Sequence, residues 1–245
     1  MAPHRLGFII RAVYDQLPTA ENLTKWKLSQ GKSCGMCGEQ QTLKHVLSSC
    51  KEALGSGRYT WRHNEVLKEV VKVLDTARCD AWARMQDEAA NSSANPQCGI
   101  LDAADDWRVT ADLDGWQENY PSFVKESGGR PDIVLISKAT KTLILVELTV
   151  PFESNISERH EFKMAKYEDL LKQLHRKGYV THMFAVEVGA RGLVGASVYS
   201  LLKRVGLSGG KRTRSLKRIA EAAERASYWI WLKRDNREWK PSSRE

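Results

Sequence analysis

The sequence predicts an α/β fold in which helices flank a mixed β-sheet. Two runs rich in Ile, Val and Leu, at residues 132–137 and 142–149, are bounded by glycines and by Pro151 and are typical of buried strands. Around them, segments with helical or strand-like patterns follow in the order helix, strand, hairpin, helix, strand, helix. That order is typical of helices packed on a mixed sheet.

The elements before the hairpin are mainly helical. Residues 4–30 are predicted to form two helices separated at Pro18, and residues 59–85 have apolar positions at the spacing of one long amphipathic helix. Residues 91–97 are rich in turn-forming residues and are predicted to be a loop. Residues 107–113 alternate between polar and apolar side chains, which predicts a strand.

The two apolar runs are predicted to form a β-hairpin with its turn at residues 138–141. In that register the numbers of directly opposed residues add to 279, which places Asp132 opposite Glu147. Opposed residues of an antiparallel pair share a face, with Cβ atoms roughly 4.5–5.5 Å apart. Two such carboxylates in an apolar sheet repel each other, and a divalent cation would offset that cost. Two incidental acidic residues are the alternative.

The C-terminal part is predicted to return to helices around one more strand. Residues 157–177 are expected to form a single helix with Ser157 as its N-cap, ended by Gly178. A strand is predicted at 179–188, a helix at 193–205, and a last helix from about Thr213 into the aromatic residues 228–231.

Composition restricts the class of protein. Of the 245 residues 28% are charged and 42% hydrophobic, which argues against a disordered chain. No apolar run approaches the about 18 residues of a membrane-spanning helix, and the run at 6–10 is too short for a signal peptide. Residues 203–245 hold 13 Lys or Arg against 5 Asp or Glu, which equals the whole net charge of +8. A basic segment favours nucleic acid as the partner, although solvated helix faces are also often basic.

The cysteines indicate a metal site. Five cysteines, an odd number, without a secretory signal favour a reducing intracellular compartment, nuclear or cytoplasmic. Cys34, Cys37, His45 and Cys50 have the spacing Cys-x2-Cys-x7-His-x4-Cys, which is typical of tetrahedral zinc. Because four protein ligands fill the coordination sphere, the zinc is expected to be structural. Buried cysteines without a metal are the alternative.

Asp132 and Glu147 are candidate ligands of a catalytic cation, Mg²⁺ or Mn²⁺. Divalent-metal nucleases use carboxylates for the cation and often a lysine to position or activate the attacking water. In the common Glu-x-Lys arrangement that lysine would stand at position 149, which is Thr149 here. A lysine from another element is then needed for an active site.

Lys163 and Lys166, on the helix after the hairpin, are the candidate lysines. Helical phase favours Lys163, because it falls on the stripe of Tyr167, Leu170 and Leu174 that is expected to face the sheet. The alternative to a lysine in the active site is that both are solvated charges on the helix surface.

Two basic groups are candidates for contact with phosphates. Arg62 and His63 stand beside aromatic residues at the start of the long helix. The alternative to a phosphate contact is that Arg62 is a surface charge. The second group stands at the start of the last helix, where several phosphates could be neutralised together. Its members are Lys211, Arg212, Arg214, Lys217 and Arg218.

In combination, these features resemble a known family. They are the Cys-Cys-His-Cys knuckle, residues 57–63, the pairing of Asp132 with Glu147, and the Lys-x-x-Lys-Tyr run that ends at Tyr167. The chain resembles the restriction-like endonuclease region at the C-terminus of site-specific non-LTR retrotransposon polyproteins. Residues 17–23 are also similar to the lead-in of reverse-transcriptase zinc-binding modules.

The resemblance implies a PD-(D/E)XK-like fold and a nuclease that nicks target DNA so that reverse transcriptase can prime on the exposed end. It implies Asp132 and Glu147 as ligands of Mg²⁺ or Mn²⁺, with Lys166 as the lysine of the site. The implied partners are target DNA, element RNA and a reverse-transcriptase domain of the same polyprotein, with no membrane. These 245 residues contain no such domain. A truncated copy, a gene fragment, a recruited domain and a nucleic-acid-binding remnant that does not cut therefore remain alternatives.

Three parts are expected along the chain. Residues 1–56 form the helical lead-in and zinc knuckle, residues 57–210 the restriction-like endonuclease core, and residues 211–245 a basic C-terminal helix and tail.

Overall fold

The computed structural model describes residues 3–90, 99–117, 120–126 and 129–240, and the predicted loop at 91–97 lies outside these ranges. Within them, a four-stranded mixed sheet has the order β1-β2-β3-β4. Neighbours β1 (Arg108–Ala111), β2 (Ile133–Ser137) and β3 (Thr142–Thr149) are antiparallel, whereas β4 (Val180–Glu187) is parallel to β3. The predicted mixed sheet flanked by helices is confirmed.

Helices precede, cover and follow the sheet. In chain order they are α1 (Pro3–Val13), α2 (Ala20–Lys25), α3 (Lys51–Gly55), α4 (Arg58–Ala90), α5 (Ser122–Glu126), α6 (Ile156–Lys166), α7 (Glu168–Arg176), α8 (Ala196–Arg204) and α9 (Gly209–Leu232). One π-helical turn, His45–Ser49, and two 3₁₀ turns, Ile100–Ala103 and Glu153–Asn155, complete the described helical structure. No helix among the described residues is both long enough and apolar enough to cross a membrane.

The helix predicted at 157–177 is two helices. Tyr167 has φ −98° and ψ 1°, so α6 ends before it and α7 begins after it. A ψ near zero departs from the about −42° of an α-helix and changes the direction of the axis. Ser157 is also not the N-cap, because α6 begins one residue earlier, at Ile156. The helical phase used to compare the two lysines therefore does not extend past Tyr167.

Both faces of the sheet are covered, which explains why β2 and β3 are continuous apolar runs. On one face, alternate residues of the strands pack with α4, α8 and α9 in the main core. This set includes Ile133, Leu135, Ile144, Val146, Leu67, Leu74, Leu201 and Ile219. On the other face, the remaining strand residues pack with α7 and with Tyr167, which precedes α7. This second set includes Val134, Leu143, Leu145, Tyr167, Leu170 and Leu174.

The basic helix α9 belongs to the same core as the sheet. Its residues Ile219, Ala222 and Ala223 are buried in the main core. It runs antiparallel to α4, since Lys211 pairs with Asp80 and Ser227 bonds to Arg62. Through Ile219, Ala222 and Ala223, the first part of α9 shares the main core with the sheet.

The N-terminal helices and the knuckle pack on the far end of α9. Phe8 and Leu47 form a second apolar cluster with Ile230 and Trp231 of α9. An ion pair between Arg5 and the buried Glu224 of α9 lies in the same region. The helix α9 is therefore one of the elements that attach the N-terminal part to the rest of the chain.

Candidate functional site

The four predicted zinc ligands converge. The ligand atoms of Cys34, Cys37, His45 and Cys50 all lie within 4.8 Å of one another, and Cys37 Sγ lies 3.2 Å from His45 Nε2. A tetrahedral zinc ion with Zn–S about 2.3 Å and Zn–N about 2.0–2.1 Å separates its ligand atoms by roughly 3.5–3.8 Å. The cluster therefore fits a Cys3His zinc ion, and the filled coordination sphere makes this a structural site.

Local turns bring the ligands together. The Gly38 N–H donates to Cys34 O (2.9 Å) and the Cys34 N–H to Glu39 O (2.6 Å), which closes the Cys-x2-Cys turn. Gly38 has φ +82°, a conformation that glycine adopts without strain. His45 begins the π-helical turn, and the Cys50 N–H donates back to His45 O (2.9 Å). Cys34, His45 and Cys50 are thus held by backbone hydrogen bonds of their own segments.

The surroundings of the cluster shift the pKa values of three of its ligands. Burial raises the pKa of the Cys37 thiol to about 11 and lowers the pKa of His45. For Cys34, N–H groups of Cys37 and Met36 outweigh the effect of burial and lower the pKa. A neutral His45 is ready to bind a metal, whereas the Cys37 thiolate needs the charge of the metal itself.

The predicted register of the hairpin is confirmed. Ile133 opposes Val146 and Ser137 opposes Thr142, so the next pair beyond the ladder is Asp132 and Glu147. Glu147 is 3% exposed. The Leu148 N–H donates to Asp132 Oδ2 at 2.7 Å, which holds that carboxylate against the end of β3. The two acidic residues therefore share one end and one face of the sheet.

Both candidate lysines reach Glu147. Lys163 Nζ donates to Glu147 Oε1, and Lys166 Nζ lies 3.4 Å from the same oxygen. The Tyr167 hydroxyl donates to Glu147 Oε2 at 2.6 Å. Burial, followed by this bond to Glu147, raises the pKa of Tyr167. The structure brings the predicted residues together but does not choose between the lysines.

His63 lies in this site, beside Asp132. Its Nε2 is 3.4 Å from Asp132 Oδ2 and 3.2 Å from Leu148 O. Burial alone would lower the pKa of His63, but the hydrogen bond and the charge of Asp132 raise it above the usual value. His63 was predicted to contact phosphate, and the structure places it at the carboxylate pair.

Arg62 is buried, so the prediction that it contacts phosphate is wrong. It is only 2% exposed, which also excludes the alternative of a surface charge. Its guanidinium donates to Leu47 O (2.8 Å), Val150 O (2.9 Å) and Ser227 Oγ (3.1 Å). Burial lowers the pKa of Arg62 to about 10. The side chain joins the knuckle, the end of β3 and α9.

Two neighbours of Arg62 have similar structural roles. The Tyr59 hydroxyl lies 3.0 Å from Val46 O and 3.1 Å from the Cys50 N, so it bonds to the zinc-binding segment. Arg58 donates to Lys233 O at 2.6 Å and to Asn236 O. The first turns of α4 therefore form a joint between the knuckle, the sheet and the chain after α9.

A cleft of about 470 Å³ opens beside Asp132. Its walls come from the knuckle, the head of α4, the end of β3 and α6. They include Ser48, His63, Asp132, Thr149, Arg159 and Lys163. Thr149, which stands where the Glu-x-Lys arrangement has its lysine, is thus part of the wall, and Lys163 supplies an amine from the opposite element.

The basic group on α9 is partly neutralised. Lys211 pairs with Asp80 (2.9 Å) and Arg218 with Glu69 (2.8 Å). The remaining members are Arg212, which covers the ring of Tyr199 at 4.4 Å, and Arg214 and Lys217, which are exposed and make no ion pair among the described residues. Along α4, Asp80 is 17 residues from His63, roughly 25 Å at 1.5 Å per residue. Glu69, the partner of Arg218, is only 6 residues from His63, roughly 9 Å, so the basic group extends along α4 from about 9 to about 25 Å from the carboxylate pair.

Glu187 was not identified from the sequence. It is opposite Thr149 in the parallel register, which puts it on the Glu147 face of the sheet. It is 2% exposed, and its carboxylate binds His160 Nδ1 (2.9 Å) and Ser197 Oγ (2.6 Å). An acidic residue between Val186 and Val188 in an otherwise apolar strand end was the signal that could have found it.

Comparison with known proteins concerns the N-terminal part. Residues 1–56 match a family described as zinc-binding in reverse transcriptase. That range contains Cys34, Cys37, His45 and Cys50, so the matched segment and the structural cluster coincide. No curated protein matches the chain. Residues 1–56 therefore form a zinc-binding module of the kind associated with reverse transcriptases.

Proposed function

We propose that this reverse-transcriptase-associated chain is a metal-dependent DNA endonuclease of the PD-(D/E)XK type from a non-LTR retrotransposon. In this proposal it nicks target DNA so that reverse transcription starts from the exposed end. The observation that supports it best is the opposition of Asp132 and Glu147 with two lysine amines at the Glu147 carboxylate.

The carboxylate pair fits a hard divalent cation. Asp132 Oδ1 makes no hydrogen bond among the described residues, and Glu147 Oε1 is held by amines that a cation could replace. Oxygen ligands of this kind suit Mg²⁺ or Mn²⁺. When bound, such an ion supplies a Lewis acid and lowers the pKa of a water molecule.

The residues around the pair would do the remaining work. His63 and the Leu148 N–H orient Asp132, and the Tyr167 hydroxyl orients Glu147. The ammonium of Lys163 or Lys166 would stabilise negative charge as it develops on the scissile phosphate. Since Lys163 also lines the cleft beside Asp132, it is the better placed of the two for contact with DNA.

Thr149 supports a second candidate, a zinc-knuckle protein that binds nucleic acid without cutting it. The Glu-x-Lys lysine is missing, and the replacement lysines pair with Glu147 itself. Arg214 and Lys217 would supply DNA affinity under either candidate, with element RNA as a further ligand.

Nicking of supercoiled plasmid by the zinc-loaded chain separates the two candidates. Wild-type protein is expected to produce open circles with Mg²⁺ or Mn²⁺ and none with EDTA. Asp132→Asn and Glu147→Gln should abolish nicking and leave DNA affinity within about twofold, since phosphate contacts dominate affinity. Asp105→Asn is the matched control, because Asp105 is exposed and stands next to Asp106, which bonds to the hairpin turn at the opposite end of the sheet.

Two results would contradict the proposal. If wild-type protein binds DNA but nicks it with neither metal, the binding-only candidate is correct. Full activity in Asp132→Asn would show that the nuclease, if present, does not use this pair.

A further inference from the structure

Helix α6 lies on the sheet without burying a side chain. None of its residues is buried, and Phe162 is 59% exposed. A helix normally packs through an apolar stripe, so another interaction must fix this one. The contacts that α6 makes with the sheet include three polar ones, His160 with Glu187 and both Lys163 and Lys166 with Glu147.

Glu187 is built into the fold as an acceptor. It is buried at the end of β4, and an ionised carboxylate can only accept hydrogen bonds. His160 Nδ1, at 2.9 Å from Oε1, and the Ser197 hydroxyl, at 2.6 Å from Oε2, are therefore its donors. Because Ser197 belongs to α8, Glu187 connects α6 and α8 across the end of the sheet.

These three residues do not form a nucleophilic triad. In a triad the histidine accepts the serine proton, whereas here Ser197 donates to Glu187 Oε2 and His160 Nδ1 faces the other oxygen. The arrangement holds α6 and α8 to the end of β4 through hydrogen bonds to Glu187.

We propose that His160 is a positioning residue, whose bond to the buried Glu187 sets the rotation of α6 so that Lys163 rests at Glu147. His160 and Lys163 are three residues apart and therefore lie on one face of the helix. Glu147 and Glu187 lie on neighbouring strands and the same face, two residues apart in register. Contacts at two fixed carboxylates define the orientation of the helix, whereas the lysines meet Glu147 alone and leave the helix free to turn about that point. The importance of Lys163 for cleavage rests on the proposed function.

Lysine NMR tests the placement without any activity. Lysines carrying ¹³C-dimethyl groups are compared in wild type, His160→Leu and His160→Asn, with the Lys163 signal assigned from Lys163→Arg. His160→Leu should move the Lys163 signal towards that of an exposed lysine, and His160→Asn, which keeps a donor near the Nδ1 position, should restore it. Lys172, exposed on α7 and paired with Glu168, is the control and should not move.

An unchanged Lys163 signal in His160→Leu overturns the proposal. So does a change that appears equally at Lys172 and is not restored by Asn, because that pattern indicates general loosening of the fold.

A kinetic measurement adds the catalytic consequence. If the chain cuts DNA, His160→Leu should slow single-turnover cleavage about 10- to 100-fold at saturating DNA, as misplacement of a catalytic group does. The Kd for DNA should stay the same. A wild-type chain that does not cut would refute the proposed function, and the Lys163 signal would still decide the role of His160.

Discussion

Removal of the buried guanidinium of Arg62 should weaken the whole fold. Arg62→Met is the informative variant, because methionine occupies similar space but offers no donor and no charge. The substitution removes three hydrogen bonds, to Leu47 O, Val150 O and Ser227 Oγ. These acceptors belong to three different parts of the chain, so the variant tests the joint itself.

The expected loss follows from two opposing contributions. Hydrogen bonds to a charged group are each worth about 1.5–3 kcal/mol, or about 4.5–9 kcal/mol for three. Burial of the guanidinium opposes this, because the lowered pKa of Arg62, about 10, corresponds to a cost of about 3 kcal/mol for the charged form. We therefore expect Arg62→Met to lower the free energy of unfolding by ~3 kcal/mol, or Tm by about 6–12 °C for a protein of this size.

Urea unfolding of the zinc-loaded protein measures this loss, with circular dichroism and tryptophan fluorescence as two probes. Arg159→Met is the matched control, because Arg159 is exposed and makes no ion pair among the described residues. It should change the free energy of unfolding by less than about 0.5 kcal/mol. An Arg62→Met protein within 1 kcal/mol of wild type, by the linear extrapolation used for both, would refute the assigned role of the joint.

The metal sites and the basic helix give three more expected results. Dialysed wild-type protein should hold about one zinc per chain and Cys37→Ser almost none, because the tetrahedron loses a ligand; equal zinc in both would contradict the site. The double change of Arg214 and Lys217 to Ala should reduce the slope of log K for DNA against log salt by about 1.8, measured by anisotropy, and an unchanged slope would make them a solvated face. Lys163→Ala and Lys166→Ala, made separately, should reduce plasmid nicking unequally, and full activity in both would contradict a requirement for one particular lysine.

Local patterns were sufficient for much of the fold and of the site. The turn position and the alternation of strand residues fixed the opposition of Asp132 and Glu147, because register in a hairpin follows from the turn. Likewise, the spacing of Cys34 to Cys50 predicted the cluster that the structure contains. Both features depend on residues close together in the sequence.

The features that escaped prediction depend on distant segments. The acceptors of Arg62 lie 15, 88 and 165 residues away, so its neighbours in sequence gave no sign of its burial. The break at Tyr167 occurs where its hydroxyl reaches Glu147 and Arg130 O, on other elements. The proposed role of His160 likewise depends on its contact with Glu187, 27 residues later.

The attachment of the N-terminal part to α9 has a consequence during synthesis. Arg62 meets Ser227 across 165 residues of chain, which a ribosome adds in on the order of 10–30 s. During that interval the apolar side chains of Phe8 and Leu47 have no partner in α9 and remain open to chaperones or to aggregation. A premature stop before α9 would make that exposure permanent, so quality control should remove shortened copies even when their zinc ligands and carboxylates are intact.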